Sequence, residues 1–226
     1  NKISEEADPI ANPTGSGLYR LSRPTEASTT LAVREFIGGT KSVIDSKGCV
    51  VDSISFDFSA GQLVKASTSL SGIAFTNLEG ITPLNSIGCV SAQAFVTKSA
   101  KFIVDGVALA ASGVTLEISN EVSDRNFVTS QGIGSKVVVG KSVTLNYTLD
   151  FVNTNELTKM KNNTKAEIFI ELINAVGDKI SIYLPVVSYS SVELGNDGGV
   201  KTLSISSMAY NDAEDNCLYI ATTKAP

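Results

Sequence analysis

Apolar and polar residues alternate strictly along two segments near the middle of the chain, residues 114–119 and residues 143–151. Side chains on a β-strand point to opposite faces in turn, so this alternation predicts two strands with one buried face each. Between them, residues 120–141 are polar and contain glycine, and they predict a loop far too long for a hairpin turn. A loop of that length inside a compact domain usually serves a function. We therefore expect residues 120–141 to contact something outside their own fold.

Shorter segments with the same period predict two hairpins, each closed by small and glycine residues. The hairpins comprise residues 50–58 with 63–75, and residues 166–174 with 180–184, the latter ending before Pro185. Further strands are predicted at residues 94–96 and 102–104, and a last strand pair at residues 202–210 and 217–222. The proline- and glycine-bearing residues 76–91 are typical of a loop.

One segment favours a helix, at about residues 153–162. It opens with cap-forming residues and has an acid near its start and lysines near its end. Its spacing places Val152, Leu157 and Met160 toward one buried side. The pattern as a whole predicts a mainly β fold, a largely antiparallel β sandwich or barrel, with this short α-helix on its flank.

The chain divides into two parts at about residue 28. Residues 1–28 are polar and broken by prolines and glycines, which predicts an extended arm. Residues 29–226 are long enough for a single domain, since a chain of this length can bury about 70–75 % of its unfolded surface. The start at Asn1 rather than Met leaves open whether residues precede it in the full protein.

Composition narrows the possible functions. Acidic residues (23) outnumber basic ones (18), which gives a net charge of −5 and argues against a basic nucleic-acid-binding surface. Neither a membrane-spanning run nor a secretion leader is evident, so we expect a soluble protein with no membrane partner. Histidine is absent, which excludes His-based acid–base and nucleophile chemistry. The three cysteines are far apart and are expected to be buried apolar groups in strands.

Candidate chemistry does not hold up against the spacing of the residues. Residues 134–142 resemble a phosphate-binding loop, but five residues separate the glycines where that motif has four, and a strand rather than a helix is predicted to follow. The acidic residues 212–215 lack the ligand spacing of a calcium loop. A hydrolase would need a carboxylate pair such as Glu121 with Asp124, and no partner group is identified for them. We expect no catalytic residue, metal or cofactor.

Several short segments carry a family resemblance through their order: residues 17–21, 47–55 leading through 60–61 to 71–72, 116–120, 140–145, and the short helix ahead of residues 166–168. Their order resembles that of the major tail tube proteins of long-tailed bacteriophages. The similarity covers the chain from about residue 17 to residue 223, and its specificity comes from the order and spacing of the segments rather than from any one of them.

This resemblance implies a tail-tube-like fold whose subunits form hexameric rings. The rings would stack into a hollow tube through which the genome leaves the particle, as part of a virion tail assembled in the host bacterial cytoplasm. Its partners would be copies of itself, the tape measure, terminator and distal tail proteins, and duplex DNA that passes without specific binding. The predicted loop supplies the candidate contacts between subunits: Asp124, Arg125, Asn126, Phe127, Lys136 and Lys141.

Two questions stay open at the level of sequence. Alternation shows only that Glu117, Asp150, Glu167, Glu171 and Glu193 lie opposite the apolar face, so any of them could face a channel. An acidic lining would repel DNA and let it slide. The alternative to a tube subunit is a β-sandwich binding module, such as a virion decoration domain or a surface adhesin, which would use the same loops for a receptor or a sugar.

Overall fold

The computed structural model describes residues 17–22, 31–37, 42–78, 94–97, 100–126 and 133–223. These residues form mostly antiparallel β-sheet with a single short helix, which confirms the predicted fold class. The strands are β1 Gly17–Ser22, β2 Leu31–Ile37, β3 Ser42–Ser59, β4 Lys65–Ser71, β5 Ala74–Leu78, β6 Lys101–Val104, β7 Val107–Ala108, β8 Ala111–Asn126, β9 Ile133–Asp150, β10 Ala166–Ile173, β11 Lys179–Asp197, β12 Val200–Tyr210 and β13 Asn216–Thr223. The helix, α1, spans Asn155–Lys161.

The strands follow one hydrogen-bonded path in the order β2-β3-β8-β9-β12-β11-β10-β6-β7, and all pairs are antiparallel. The strands β4 and β5 pair with β3, and β1 pairs with β13. The long strand β11 has two partners in succession, because residues 179–183 pair with β13 and residues 186–197 pair with β12. The expected pairing of the last two strands is therefore wrong, since β12 and β13 each pair with β11 instead.

The alternating apolar residues meet in one main core. The segments at residues 114–119 and 143–151 lie in β8 and β9, and Leu116 and Leu145 are fully buried there. They pack in the same cluster as residues of β10, β11 and β12 such as Ile168, Leu184 and Ile205. Burying one such side chain contributes about 1.5–3 kcal/mol relative to leaving it exposed, so this cluster is the main source of stability.

Both predicted hairpins are present, with changes at their ends. The first is β3 with β4 and β5, whose predicted single strand is interrupted at residues 72–73. The second is β10 with β11, and β11 continues through Pro185 instead of ending there. Pro185 has no N–H to donate, and it lies between residue 183, the last that pairs with β13, and residue 186, the first that pairs with β12. The sheet therefore accommodates this proline where the partner strand changes.

The predicted long loop at residues 120–141 is wrong. Strand β8 continues to Asn126 and β9 begins at Ile133, and the two strands stay paired over this whole region. Only residues 127–132 lie between the strands, and they are outside the described part of the chain. The region is thus an extension of the β8–β9 hairpin, which we call the arm (residues 120–126 and 133–141).

A β-bulge at the start of the arm explains why the pattern failed there. Glu121 pairs with Gly140 and Val122 pairs with Val138, which leaves Val139 as an extra residue on β9. One extra residue moves every following side chain to the opposite face, so the period of two is interrupted. A second shift lies between Arg125 and Asn126.

The helix is present, but a different side chain is buried. Leu157 and Met160 pack against the core as expected, whereas Val152 is 84 % exposed. The buried residue on α1 is Glu156, in the first turn. An acid at this end interacts favourably with the helix dipole, and a further contact described below holds it inside the fold.

Three smaller predictions fall partly on described residues. Within the expected extended arm at residues 1–28, residues 17–22 form β1 and pair with the last strand, while the rest lies outside the described ranges. Cys49 and Cys217 are buried in β3 and β13, as expected for small apolar groups. Cys89 and Phe127 lie outside the described residues. Of residues 76–91, only residues 76–78 are described, and they belong to β5 rather than to a loop.

Candidate assembly surfaces

The arm is a two-stranded ribbon that leaves the main sheet. Strand β8 pairs with β3 as far as Ser119 with Ser53, and the Asn120 side chain then donates to the Val51 carbonyl at 2.8 Å. Beyond that point β8 pairs with β9 alone among the described strands. With about 3.3 Å per residue, the seven residues from Asn120 to Asn126 extend for about 20 Å. The arm is therefore long enough to reach a neighbouring protein.

The predicted contact residues fall into two groups on this arm. Asp124, Arg125 and Asn126 are exposed at the far end of β8. Lys136 is buried on β9, and its ammonium lies 2.5 Å from Asp124 Oδ1. This ion pair joins the two strands across the ladder, because the two residues are direct partners in the register. Asp124 and Lys136 thus stabilise the arm itself, while Arg125 and Asn126 are open to an outside partner.

Lys141 lies at the base of the arm. Its Nζ atom is buried and has no hydrogen-bond partner among the described residues. Burial lowers the pKa of Lys141, and the nearby Cys217 sulfur and Asp215 carboxylate oppose this effect only in part. An ammonium buried without a partner costs free energy, so Lys141 does not stabilise the subunit through its charge.

The outer side of the main sheet carries rows of mostly hydroxyl, amide and carboxylate side chains. Two rows cross β3, β8, β9 and β12, and a third crosses β8, β9, β12 and β11, all opposite the apolar core. The rows are Ser55, Glu117, Thr144 and Met208; Asp57, Thr115, Asn146 and Ser206; and Gly113, Thr148, Ser204 and Glu193. We call this surface the polar face. It contains no basic residue, and Lys65 of β4 borders it beside Asp57.

The cross-strand register shows which carboxylates share a surface, and alternation along single strands could not show this. Glu117 and Glu193 belong to the polar face. Glu167 and Glu171 belong to the outer side of β10, where Glu171 is buried and its Oε1 lies 2.7 Å from the Lys101 ammonium. Glu167 is exposed and accepts a hydrogen bond from the Tyr183 hydroxyl at 3.0 Å. Alternation along β10 predicts that both carboxylates share a face, but not that Tyr183 lies beside them.

The helix is fixed on the sheet by a partly buried polar cluster. The Tyr189 hydroxyl donates to Glu156 Oε2 at 2.5 Å, and the Lys159 ammonium lies 3.1 Å from Glu156 Oε1 and 2.7 Å from Asp105 Oδ2. Burial alone would lower the pKa of Lys159, but its hydrogen bonds to Asp105 and Glu156 raise it overall. Burial also raises the pKa of Tyr189 and of Tyr147 beside it, so both stay protonated. The cluster therefore holds α1 in one position.

The motifs rejected on spacing are structural. Residues 134–142, which resemble a phosphate loop, lie inside β9, so no helix N-terminus follows them. In the turn between β12 and β13, Asp212 Oδ1 accepts the backbone N–H groups of Glu214 and Asn216, and Asp212 Oδ2 accepts the Tyr219 hydroxyl at 2.6 Å. Glu121 and Asp124, the candidate carboxylate pair, are both exposed on the arm. These acidic groups close a turn and line a ribbon.

The described ranges lack two kinds of functional feature. They contain no group of three or more His, Cys, Asp or Glu side chains placed to hold a metal ion. None of the helices described there is long and apolar enough to cross a membrane. What the described residues do present is extended surface: a projecting arm, a polar face and strand edges.

Surfaces of this kind are typical of a structural subunit that contacts other chains. The sequence model of the phage tail tube protein family matches residues 10–211. The chain therefore belongs to this family, which confirms the resemblance of its segment order, and it is a structural component of the virion tail. A comparison with curated proteins gives no match.

Proposed function

We propose that this chain is a tail tube subunit that assembles into hexameric rings, and that the rings stack into the conduit for genome ejection. The observation that carries this proposal is the polar face, which is broad, continuous and without basic residues. A face of this kind in the lumen would not hold DNA, because only cationic groups release the counterions of the phosphate backbone. Its carboxylates, such as Glu117 and Glu193, would repel the duplex and let it slide.

The arm and the open strand edges would supply the contacts between subunits. Strand edges with unpaired N–H and C=O groups add a strand from another chain readily, and a ring closes when every edge is paired in this way. Strand β4 pairs only with β3 in the described sheet, and six of its seven residues are exposed. The arm, with Arg125 and Asn126 exposed at its end, would bind the next ring.

The other proposed partners are those that a tube subunit would meet in the tail. The tube would contact the tape measure, terminator and distal tail proteins, carry duplex DNA without specific binding, and assemble in the host bacterial cytoplasm. These assignments rest on family membership together with the surfaces described above.

Electron microscopy of the purified protein tests the rings directly. We expect rings or stacked tubes with six-fold symmetry in negative stain. A protein that stays monomeric at all concentrations and has no place in a tail would contradict the proposal, and it would favour a binding module of the same fold.

A cysteine placed on the polar face tests its position in the tube. In assembled tubes we expect Glu117→Cys to react with a small maleimide and not with a maleimide attached to a large polyethylene glycol. In the dissociated subunit both reagents should react. Lys161→Cys on the exposed end of α1 is the matched position outside the polar face. If assembly leaves the reaction of Glu117→Cys with the large reagent unchanged, the polar face does not line a lumen.

A further inference from the structure

A second surface, on the outer side of β6, β10 and β11, has the chemistry of a binding cleft. It has a volume of about 370 Å³. Phe169 at its centre is the register partner of both Ile103 on β6 and Tyr183 on β11, so these three side chains form one row across the strands. We call this surface the aromatic cleft; it is lined by Lys101, Ile103, Glu167, Phe169, Glu171 and Tyr183.

Two carboxylates flank the aromatic row. The Tyr183 hydroxyl donates to Glu167 Oε2 and so fixes the position of that carboxylate at the rim. On the other side, the Lys101 ammonium occupies Glu171 Oε1. The cleft thus has two carboxylates and one ammonium, and its lining has a formal charge of −1.

This arrangement suits a planar cation. A guanidinium can stack on a phenyl or phenol ring and donate two parallel hydrogen bonds to a carboxylate at the same time. A lysine ammonium makes neither the stacking contact nor the paired donation, so arginine is the better fit. Arginine is also enriched among the residues that dominate the energy of protein interfaces.

The arm carries an arginine that is available for such a contact. Arg125 is exposed, and its side chain forms no ion pair with the described residues. The other described basic groups near it on the arm are engaged or buried: Lys136 is paired with Asp124, and Lys141 is enclosed at the base. An arm of about 20 Å is long enough to bring Arg125 to a second copy.

We propose that Arg125 of one copy binds in the aromatic cleft of another, stacked on the half-buried Phe169 ring and hydrogen-bonded to Glu167. This proposal rests on the proposed assembly of the chain with itself, and it assigns one contact within it. The arm supplies the cation and the cleft supplies the anion, so every copy is both donor and acceptor. A contact of this head-to-tail type repeats from subunit to subunit.

A charge exchange tests the pairing. We expect Arg125→Glu and Glu167→Arg each to raise the protein concentration needed for assembly about tenfold or more. The double variant restores opposite charges across the contact, and it should assemble at a concentration close to that of the wild type. Arg125→Lys keeps the charge without the planar group and should fall between the wild type and Arg125→Glu. Melting temperatures of all variants show whether the subunit itself stays folded.

Cross-linking gives a second readout that does not depend on the energy of the contact. Arg125→Cys and Glu167→Cys combined in one chain should form a series (a ladder) of disulfide-linked oligomers on a non-reducing gel after mild oxidation. Neither single variant should do so. Assembly of the wild type with no effect of Arg125→Glu, or with no ladder from the double cysteine variant, would overturn the Arg125 contact alone. A wild type that never assembles would overturn the proposed function and this contact together.

Discussion

Tyr189 and Tyr147 lie in the cluster beneath α1, and their hydroxyl groups have different contacts. The same substitution, Tyr→Phe, is therefore expected to destabilise the subunit at Tyr189 but not at Tyr147. The Tyr189 hydroxyl donates to the buried Glu156 carboxylate at 2.5 Å. The Tyr147 hydroxyl is also buried, but its polar neighbour is the Tyr189 hydroxyl, and it makes no well-formed hydrogen bond with a described residue. Tyr→Phe removes a single hydroxyl in each case, and both rings remain packed in the core.

The expected magnitudes follow from these contacts. Tyr189→Phe leaves a buried carboxylate oxygen without its donor, and a hydrogen bond to a charged group contributes about 1.5–3 kcal/mol. For a chain of this length, each kcal/mol lowers the melting temperature by about 2–4 °C, so we expect a loss of about 3–12 °C. Tyr147→Phe removes a buried hydroxyl whose one polar neighbour, the Tyr189 hydroxyl, is not in good hydrogen-bond geometry, so the free energy of unfolding should change by less than about 0.5 kcal/mol or increase.

Urea unfolding followed by circular dichroism, together with thermal melts, measures both variants against the wild type. The comparison is made on the unassembled subunit, because assembly would add its own stabilisation. Equal losses in the two variants would refute the reasoning, since they would mean that the Tyr147 hydroxyl is bonded in solution. A Tyr189→Phe protein as stable as the wild type would show that Glu156 is not held by this donor.

Three further predictions concern the subunit alone. Gly48 has φ +62°, and a Cβ there would lie 2.5 Å from the Ile73 Cδ1 atom. Gly48→Ala should therefore lower the free energy of unfolding in urea by about 1–3 kcal/mol. Gly113→Ala is the control and should cost much less, because the space around Gly113 is open. Lys141→Met removes a buried ammonium without a partner, so its melting temperature should equal or exceed that of the wild type; a clear decrease would mean that the charge is stabilising. Burial and a hydrogen bond to Asp212 raise the pKa of Tyr219 from 10.0 to about 12. The contribution of this tyrosine to the free energy of unfolding is therefore complete below about pH 10 and is lost as the pH rises toward about 12. The melting temperature should be lower at about pH 11.5 than at about pH 9.

The strands of the core were predictable from sequence because one of their faces is buried along the whole length. Alternation located β8 and β9, and it separated Leu116 and Leu145 from the polar residues beside them. Local turn residues also located both hairpins. What alternation could not supply is the order of strands, since the partners of β12 and β13 are set by the long strand β11 between them.

The candidate contact residues lie on a region that sequence predicts as a long loop and that the structure shows as a β-ribbon. Residues 120–141 were expected to contact a partner because a long loop usually has a function. The region is instead an ordered ribbon, and Asp124 and Lys136 stabilise it internally. Arg125 and Asn126 keep the role of predicted contacts. The aromatic cleft gave no sequence signal, because Ile103, Phe169 and Tyr183 come from three separate strands.

The fork between β3 and the arm accounts for both the shape of the subunit and its open edge. On one edge of β3, residues 53–59 pair with β8 while residues 42–49 pair with β2. Since β2 occupies that position, β8 must leave β3 beyond Ser119, and it carries β9 with it. The outer edge of the departing strand is therefore unpaired in the described sheet, and it bears the charged residues Glu121, Asp124 and Arg125. Charges on an open edge oppose indiscriminate pairing with other strands while permitting a partner of matching charge. A subunit whose core is complete can in this way still present an edge that accepts one particular neighbour.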